Sequence, residues 1–410
     1  MKKIILLFLL MPFLVNGQKK KENVGVKFEH KTSNWDSIVA KAKRENKYIF
    51  IDCYTTWCGP CKEVAKNIFP LKEVGHFFNK NCINISLQID KTKKDNAQII
   101  ASRNIVKQVE KITKINAYPS FLIFDNTGTL VHKFTGSDAD ELIRKAKDGF
   151  DKNEQYYTLI EKYSAGDREE NFLKKLCKKA DDAEDNVDEY LKAFIDTREN
   201  LYTKENGEFI ISFIDEPKGL AFENLYANKD QWYIALGKTK SNETIERAVY
   251  SEIETMLLFK TDSINWDKIS KHYAEKYPDY GNIAVAKALM NYKVRNNDSK
   301  GYLKILDSLF VAYPVEMNYP DELNSNAMVI FEIATNTPLL NKALTWSKRS
   351  IEQDENPMYI DTYANLLYKL GQKNEAIKQE EKAISLLKEE DKKFYIETLE
   401  KMKKGEKTWK

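Results

Sequence analysis

The chain is poor in the residues that build metal sites and disulfide-stapled folds. Its 410 residues hold 5 cysteines and 4 histidines. So few cysteines over that length cannot staple a scaffold, and the odd count suits one working pair with buried bystanders. The histidines, His30, His76, His132 and His272, stand singly, so no histidine-based metal constellation is present in the sequence. An excess of one charge is also missing: 65 Lys and Arg face 62 Asp and Glu, a net +3, and no basic block dominates. Nucleic acid and anionic membrane surfaces are therefore not expected partners. Beyond residue 15 no apolar run approaches the ~18 residues that a spanning helix requires.

The N-terminus is the exception. Lys2-Lys3 precede an apolar run over residues 4–15 that contains only Pro12 as a breaker, and Asn16-Gly17-Gln18 closes it. A run this short suits a signal-peptide core better than a bilayer anchor, with an uncleaved anchor as the alternative. No cysteine follows it to carry a lipid. Residues 1–17 are thus expected to be a signal peptide and the mature protein to reside in the periplasm.

What is present is ordinary globular material, 42% hydrophobic and 31% charged, with 22 tyrosines and 20 phenylalanines. From residue 25 to 150 strand and helix patterns alternate. A helical stretch over 35–45 precedes an apolar run over 47–52, read as a buried strand. Further strands are expected over 83–89, 121–124 and 129–134, the last two joined by the turn Asp125-Asn126-Thr127-Gly128. Residues 90–116 read as a long, polar, partly helical connection. Strands joined by helices and closed by a hairpin give an α/β domain with a mixed sheet.

Into this pattern falls Trp57-Cys58-Gly59-Pro60-Cys61, with Asp52 six positions before Cys58 and Tyr118-Pro119-Ser120 about sixty residues on. Two thiols with two residues between them can close a disulfide within one helical turn. Pro60 lies where the first turn of a helix tolerates proline. Cys58 is therefore expected at a helix N-terminus, where the dipole favours thiolate over thiol. Cys53 and Cys82 would lie at opposite ends of neighbouring strands, on the order of 13–16 Å apart, too far for a disulfide. Cys177 sits at an apolar helical position among Phe172, Leu173 and Leu176 and reads as core. Cys-x-x-Cys is also half of a zinc site, but the other cysteines and the histidines are isolated, so no metal is expected.

With Asp52, the five-residue motif, Tyr118-Pro119-Ser120 and Gly136 in this order, residues 25–150 resemble the thioredoxin superfamily. The local run over 61–69 and the long insertion before Pro119 are most similar to its exported bacterial branch. The resemblance implies a thiol–disulfide oxidoreductase without a bound cofactor, its redox equivalents held by Cys58 and Cys61. Cys58, the more exposed thiol, would attack a substrate disulfide and Cys61 would resolve the mixed disulfide. Asp52, its pKa raised by burial, would accept the proton of Cys61; the alternative is an ordinary strand-end carboxylate. Trp57, Gly59, Pro60, Tyr118 and Pro119 would form the substrate surface, Pro119 as a cis proline. Two departures stand out: Ser86 occupies the place of a lysine found in cytosolic thioredoxins, and the proline that kinks their motif helix is missing. Implied partners are proteins with disulfides or thiols and a membrane or periplasmic electron donor.

Residues 151–410 read as all-α, a series of amphipathic helical stretches. Two patterns in 359–388 hinge at Gly371, with Ala364, Ala376 and Ala383 at close-contact spacing. Ala343 and Ser350 repeat the last two 33 residues upstream, with Pro338 as the matching breaker. Tyr277-Pro278 and Tyr313-Pro314 hint at a longer array. The segment near 325–390 resembles tetratricopeptide repeats, which bind peptides or other helices. An alternative function is thus open: a helical-repeat binding protein whose thioredoxin-like domain is mainly a recognition platform.

Overall fold

The computed structural model describes residues 25–29, 34–259, 264–312 and 319–409. The expected signal peptide, His30 and the Tyr313-Pro314 step lie outside the described residues. The chain divides into two compact units, the first ending at Glu199 and the second starting at Asn200.

In the first unit, helix α1 (Trp35–Glu45) is capped by Asn34, whose side chain accepts from the Asp36 N–H, and ends at Asn46 in a left-handed conformation (φ 48°). There follow β1 (Tyr48–Tyr54), α2 (Gly59–Glu63), α3 (Lys72–Asn81), β2 (Cys82–Gln88), α4 (Ala97–Ile112), β3 (Ser120–Phe124), β4 (Leu130–Phe134) and α5 (Ala139–Asp148). The sheet order is β2-β1-β3-β4, with β1 parallel to β2 and antiparallel to β3, and β3 antiparallel to β4. The mixed sheet expected from the sequence is present. The 90–116 connection is more ordered than its polarity suggests, because Asn96 caps α4 and Ile105, Val106 and Val109 give it a buried stripe.

Side-chain alternation along β1 sorts the two faces. Ile49, Ile51 and Cys53 pack with Ile83, Ile85, Leu87 and the α1 and α4 stripes. Phe50 points the other way, into Val64, Phe69, Val74, Phe78 and Phe121 beneath α2 and α3. Asp52 shares the parity of Phe50, so a carboxyl group is carried into the layer beneath the motif helix.

The α/β region expected to end at 150 is part of a longer unit. Helices α6 (Tyr156–Ser164), α7 (Glu170–Asp182) and α8 (Asp188–Asp196) follow α5. The reason lies in β4, an edge strand whose polar groups need partners. The Thr135 N–H donates to the Asp182 carbonyl (2.7 Å), and the Tyr156 N–H donates to His132 Nδ1 (3.1 Å). Lys133, fully buried, pairs with Asp185 at 2.5 Å. Residues 156–185 thus satisfy the edge.

The second unit contains α9 (Lys204–Ile211), α10 (Gly219–Ala227), α11 (Lys229–Leu236), α12 (Lys238–Leu258), α13 (Trp266–Lys276), α14 (Gly281–Arg295), α15 (Ser299–Ala312), α16 (Pro320–Ile333), α17 (Thr337–Gln353), α18 (Pro357–Lys369), α19 (Lys373–Ser385) and α20 (Lys393–Lys404). The 33-residue relation falls on equivalent places: Ala343 and Ser350 on α17, Ala376 and Ala383 on α19, all fully buried. Gly371 has φ +82°, a conformation that suits glycine at a tight turn between helices. Pro338 does not mirror it. It sits in the first turn of α17, where a missing N–H leaves no bond unmade, and Asn336 is the cap.

Candidate functional site

Cys58 is the N-cap of α2 and Pro60 lies in its first turn. The pair is closed as a disulfide, S–S 2.03 Å and Cα–Cα 5.4 Å. The Cys61 N–H donates to Cys58 Sγ at 3.0 Å. That bond, with the helix N-terminus, favours negative charge on Cys58 when the disulfide opens. Exposure does not separate the two sulfurs as expected: Cys58 is 3% exposed and Cys61 6%. The Cys58 sulfur is turned inward onto the helix end, so its charge stabilisation, not its accessibility, distinguishes it.

Asp52 is buried in the centre of the sheet, in register with Ser86 on β2 and Phe121 on β3. The Ser86 hydroxyl donates to Asp52 Oδ2 at 2.9 Å. Burial pushes the carboxyl up to about 7, and the Ser86 hydrogen bond opposes this only in part. Asp52 and Cys61 line a common cavity of about 540 Å³, together with Ser86, Tyr54, Thr55 and Ala65 among others. Where the motif helix lacks the kinking proline, a π-helical turn over Val64–Ile68 interrupts it instead.

β3 runs antiparallel to β1 with Ser120 opposite Cys53, so the step that precedes it is set beside the motif loop. Tyr118-Pro119 is cis. Trp57, 68% exposed, meets the Tyr118 ring edge-to-face at 5.7 Å between centroids. Gly59 and Pro60 are exposed, and a side chain at Gly59 would meet nothing. All eight residues singled out in the sequence fall in this region: Asp52, Cys61 and Cys58 beneath, Trp57, Gly59, Pro60, Tyr118 and Pro119 around it.

A supporting network was not legible in the sequence. The Asp90 carboxylate accepts from the Thr56 N–H (3.0 Å) and from the Thr56 hydroxyl. Arg103 on α4 donates to the carbonyls of Gln88 (2.7 Å), Ile89 (3.2 Å) and Asp90 (2.6 Å), and to Asp95 Oδ2 (2.5 Å). Hydrogen bonds from Thr92, Arg103 and Gln88 hold Asp95 down at about 2. The loop carrying Trp57 and Cys58 is thereby anchored to the inserted helix. The available signal was Asp90 at a strand end, two residues after a strand that flanks Asp52.

Cys53, Cys82 and Cys177 are free, buried thiols, as expected. Burial raises all three. Among the described residues no group of three or more His, Cys, Asp or Glu could hold a metal ion.

The family model of a thioredoxin-like domain matches residues 35–148. A Thioredoxin H-type of Fagopyrum esculentum is 30% identical over 119 residues, 28% of this chain and 84% of that protein. Thioredoxin-T of Drosophila melanogaster is 28% identical over 100 residues, 24% of this chain; the match spans only about half of that relative (52%). A solution structure of a candidate disulphide isomerase from Bacteroides thetaiotaomicron is 30% identical, with a TM-score of 0.25, covering 31% of this chain and 94% of that one. The matched stretch contains both halves of the site, the capped disulfide and the Tyr118-Pro119 step, and through it the chain belongs to the thioredoxin-like family, as a thiol–disulfide oxidoreductase.

Proposed function

We propose that the protein is exported to the periplasm and there reduces or exchanges disulfides of other proteins through Cys58 and Cys61. The observation that carries this is the Cys61 N–H bonded to Cys58 Sγ at a helix N-cap, with buried Asp52 sharing a cavity with Cys61. As a thiolate, Cys58 attacks one sulfur of a substrate disulfide and expels the other. Cys61, deprotonated through Asp52, then displaces the substrate from Cys58 and regenerates the intramolecular disulfide. Trp57, Tyr118, Pro119 and the open Gly59-Pro60 rim form the surface that receives the substrate chain. The apolar run over residues 4–15 supports export, and the paired helices of the second unit support a tetratricopeptide-like array that selects protein substrates or docks an electron donor.

Insulin reduction with dithiothreitol as electron source tests the activity: wild type is expected to accelerate it and Cys58→Ser to be inert. Equal inertness of both proteins would refute the enzyme reading and favour the binding-module alternative. Export is tested by sequencing the N-terminus of the protein recovered from a periplasmic extract, where loss of the first 17 or so residues is expected.

A further inference from the structure

The loop that leads into Tyr118 has no regular structure of its own: residues 113–119 lie between the end of α4 and the start of β3. Much of what holds it comes from helices beyond residue 148, outside the stretch that the family model matches. We propose that these appended helices set the substrate surface of the redox site, with Asn116 and Tyr157 as positioning residues for that loop. The proposal rests on the oxidoreductase reading above. It adds the residues that decide how tightly a protein substrate is held, as distinct from how fast its disulfide reacts.

The ties are specific. The Thr113 hydroxyl shares a hydrogen bond with the Tyr157 hydroxyl on α6 (2.6 Å). Asn116 Nδ2 donates to the Glu184 carbonyl (3.2 Å) and to Asp185 Oδ1 (3.0 Å), in the turn after α7. Between them, Lys133 Nζ on β4 donates to the Lys114 carbonyl (2.9 Å) and to the same Asp185 Oδ1 (2.5 Å). The Lys133 side chain is fully buried. A buried ammonium needs such partners to keep its charge, and here one of them is a carbonyl of the loop itself. Strand, loop and appended turn thus meet on one oxygen of Asp185.

The turn that presents Asp185 is built to keep its shape. The Asp185 N–H donates to the Ala180 carbonyl (2.9 Å) and the Glu184 N–H to that of Asp181 (2.8 Å), closing the end of α7 through a left-handed residue. Glu184 fills that place with φ 51°, where glycine is the usual choice. Asp182, at the end of α7, is fixed to the sheet side: Thr135 N–H donates to its carbonyl, and Lys145 pairs with its carboxylate at 2.7 Å. Ile115 and Tyr157 pack on one core cluster, so the loop has an apolar contact between its polar ties. Tyr118 follows Asn116 by two residues and carries the ring that meets Trp57. Ser120 Oγ closes the step on the Ala117 carbonyl (2.7 Å). A recognition loop is as precise as the scaffold under it, and one already ordered binds without the cost of ordering.

Kinetics of insulin reduction by the full chain test this. Tyr157→Phe removes a hydroxyl and keeps the ring in the core; Asn116→Ala removes two donors from an exposed side chain. The double variant, its fold verified by circular dichroism, is expected to raise KM for insulin about fivefold, the worth of one net hydrogen bond. Its kcat should stay within about twofold of wild type, the signature of lost binding and not of lost chemistry. The small disulfide dithiobisnitrobenzoate needs no chain-binding surface and should oxidise the reduced variant at the wild-type rate. The equilibrium of the pair with glutathione should not move. An unchanged KM overturns the proposal, and so does an equal loss of rate toward both disulfides, which would mark a general loss of structure. If the double variant does not fold, Asn116→Ala alone decides, with a rise in KM of about twofold or more expected. Wild type inert toward insulin would remove the oxidoreductase reading and this inference with it. Wild type active, with KM unmoved in the variants, would remove only the role of the appended helices.

Discussion

Replacing Asp52 with asparagine should make the first unit more stable and the enzyme slower, both with a defined pH dependence. The carboxyl is raised from 3.8 to about 7 by burial against one opposing hydrogen bond from Ser86. Roughly three units at about 1.4 kcal/mol each give the folded state a preference of about 4 kcal/mol for the neutral acid. Because the folded value lies above the unfolded one, the corresponding stability is fully present below pH 3.8 and is lost as pH rises through 7. Asp52→Asn keeps an acceptor for the Ser86 hydroxyl and removes the charge. It should therefore match wild type at pH 4 and exceed it by up to about 4 kcal/mol at pH 8, an upper value because the cavity admits water.

Hydrogen exchange of the β1 amides, read by mass spectrometry between pH 4 and 8 and corrected for intrinsic rates, measures opening of this sheet without interference from the second unit. In parallel, insulin turnover of wild type should rise with pH through about 7 as the Asp52 carboxylate forms. The variant should lose that limb and fall by about 10²-fold at pH 7, the low end of general-base effects. A stability difference independent of pH, or a variant weaker than wild type at pH 8, would refute the assignment of Asp52 as a buried acid. Normal turnover in a stabilised variant would refute only its role as proton acceptor.

Other outcomes follow from the same geometry. Cys61→Ser should leave Cys58 able to attack but unable to be resolved, so covalent mixed disulfides with protein substrates should accumulate on non-reducing gels. Arg103→Ala removes donors to three carbonyls and Asp95 and should destabilise the first unit by about 1–3 kcal/mol, with a severalfold loss of insulin turnover that Arg103→Lys restores in part. His132 is lowered to about 3 by burial and by Lys179, so stability is present above the ordinary value of 6.5 and is lost as pH falls toward 3; His132→Gln should flatten that acid slope in thermal melts. In the second unit, burial and Asp361 raise Glu380, so its stabilisation is lost as pH rises above the ordinary carboxylate range, and Glu380→Gln should slow exchange in α18 and α19 at pH 9 relative to wild type.

The sheet and the cysteine site were legible because each is encoded locally. An apolar run over 47–52 reads as a buried strand, and a proline two residues after Cys58 in a strand-to-helix turn marks where a helix begins. The hidden parts are those in which one element completes another. Lys133 lies within the 129–134 strand and nothing local marks it as buried; it is fully buried with Asp185, on a segment more than fifty residues later, as its partner. That pairing ties the segment after 150 to the sheet, within a compact unit that ends at Glu199. Arg103 reads as one charge among many on a polar stretch, and only the fold brings it to the carbonyls that follow β2.

The site also shows why a symmetric-looking motif yields two unlike sulfurs. The fold turns Cys58 onto a helix end, which lowers the free energy of its thiolate without exposing it. One turn later, period 3.6 in α2 and period 2 in β1 converge, and they bring Cys61 to the cavity that Asp52, on the Phe50 face of β1, also lines. Neither periodicity alone selects that pairing. Moving Asp52 by one residue in either direction would carry the carboxyl to the opposite face of the sheet, among Ile51, Ile85 and Val106, away from the cavity that Cys61 lines. The six-residue offset between Asp52 and Cys58 is therefore a consequence of strand parity plus the length of the turn, which is why so short a motif predicts so much of the geometry around it.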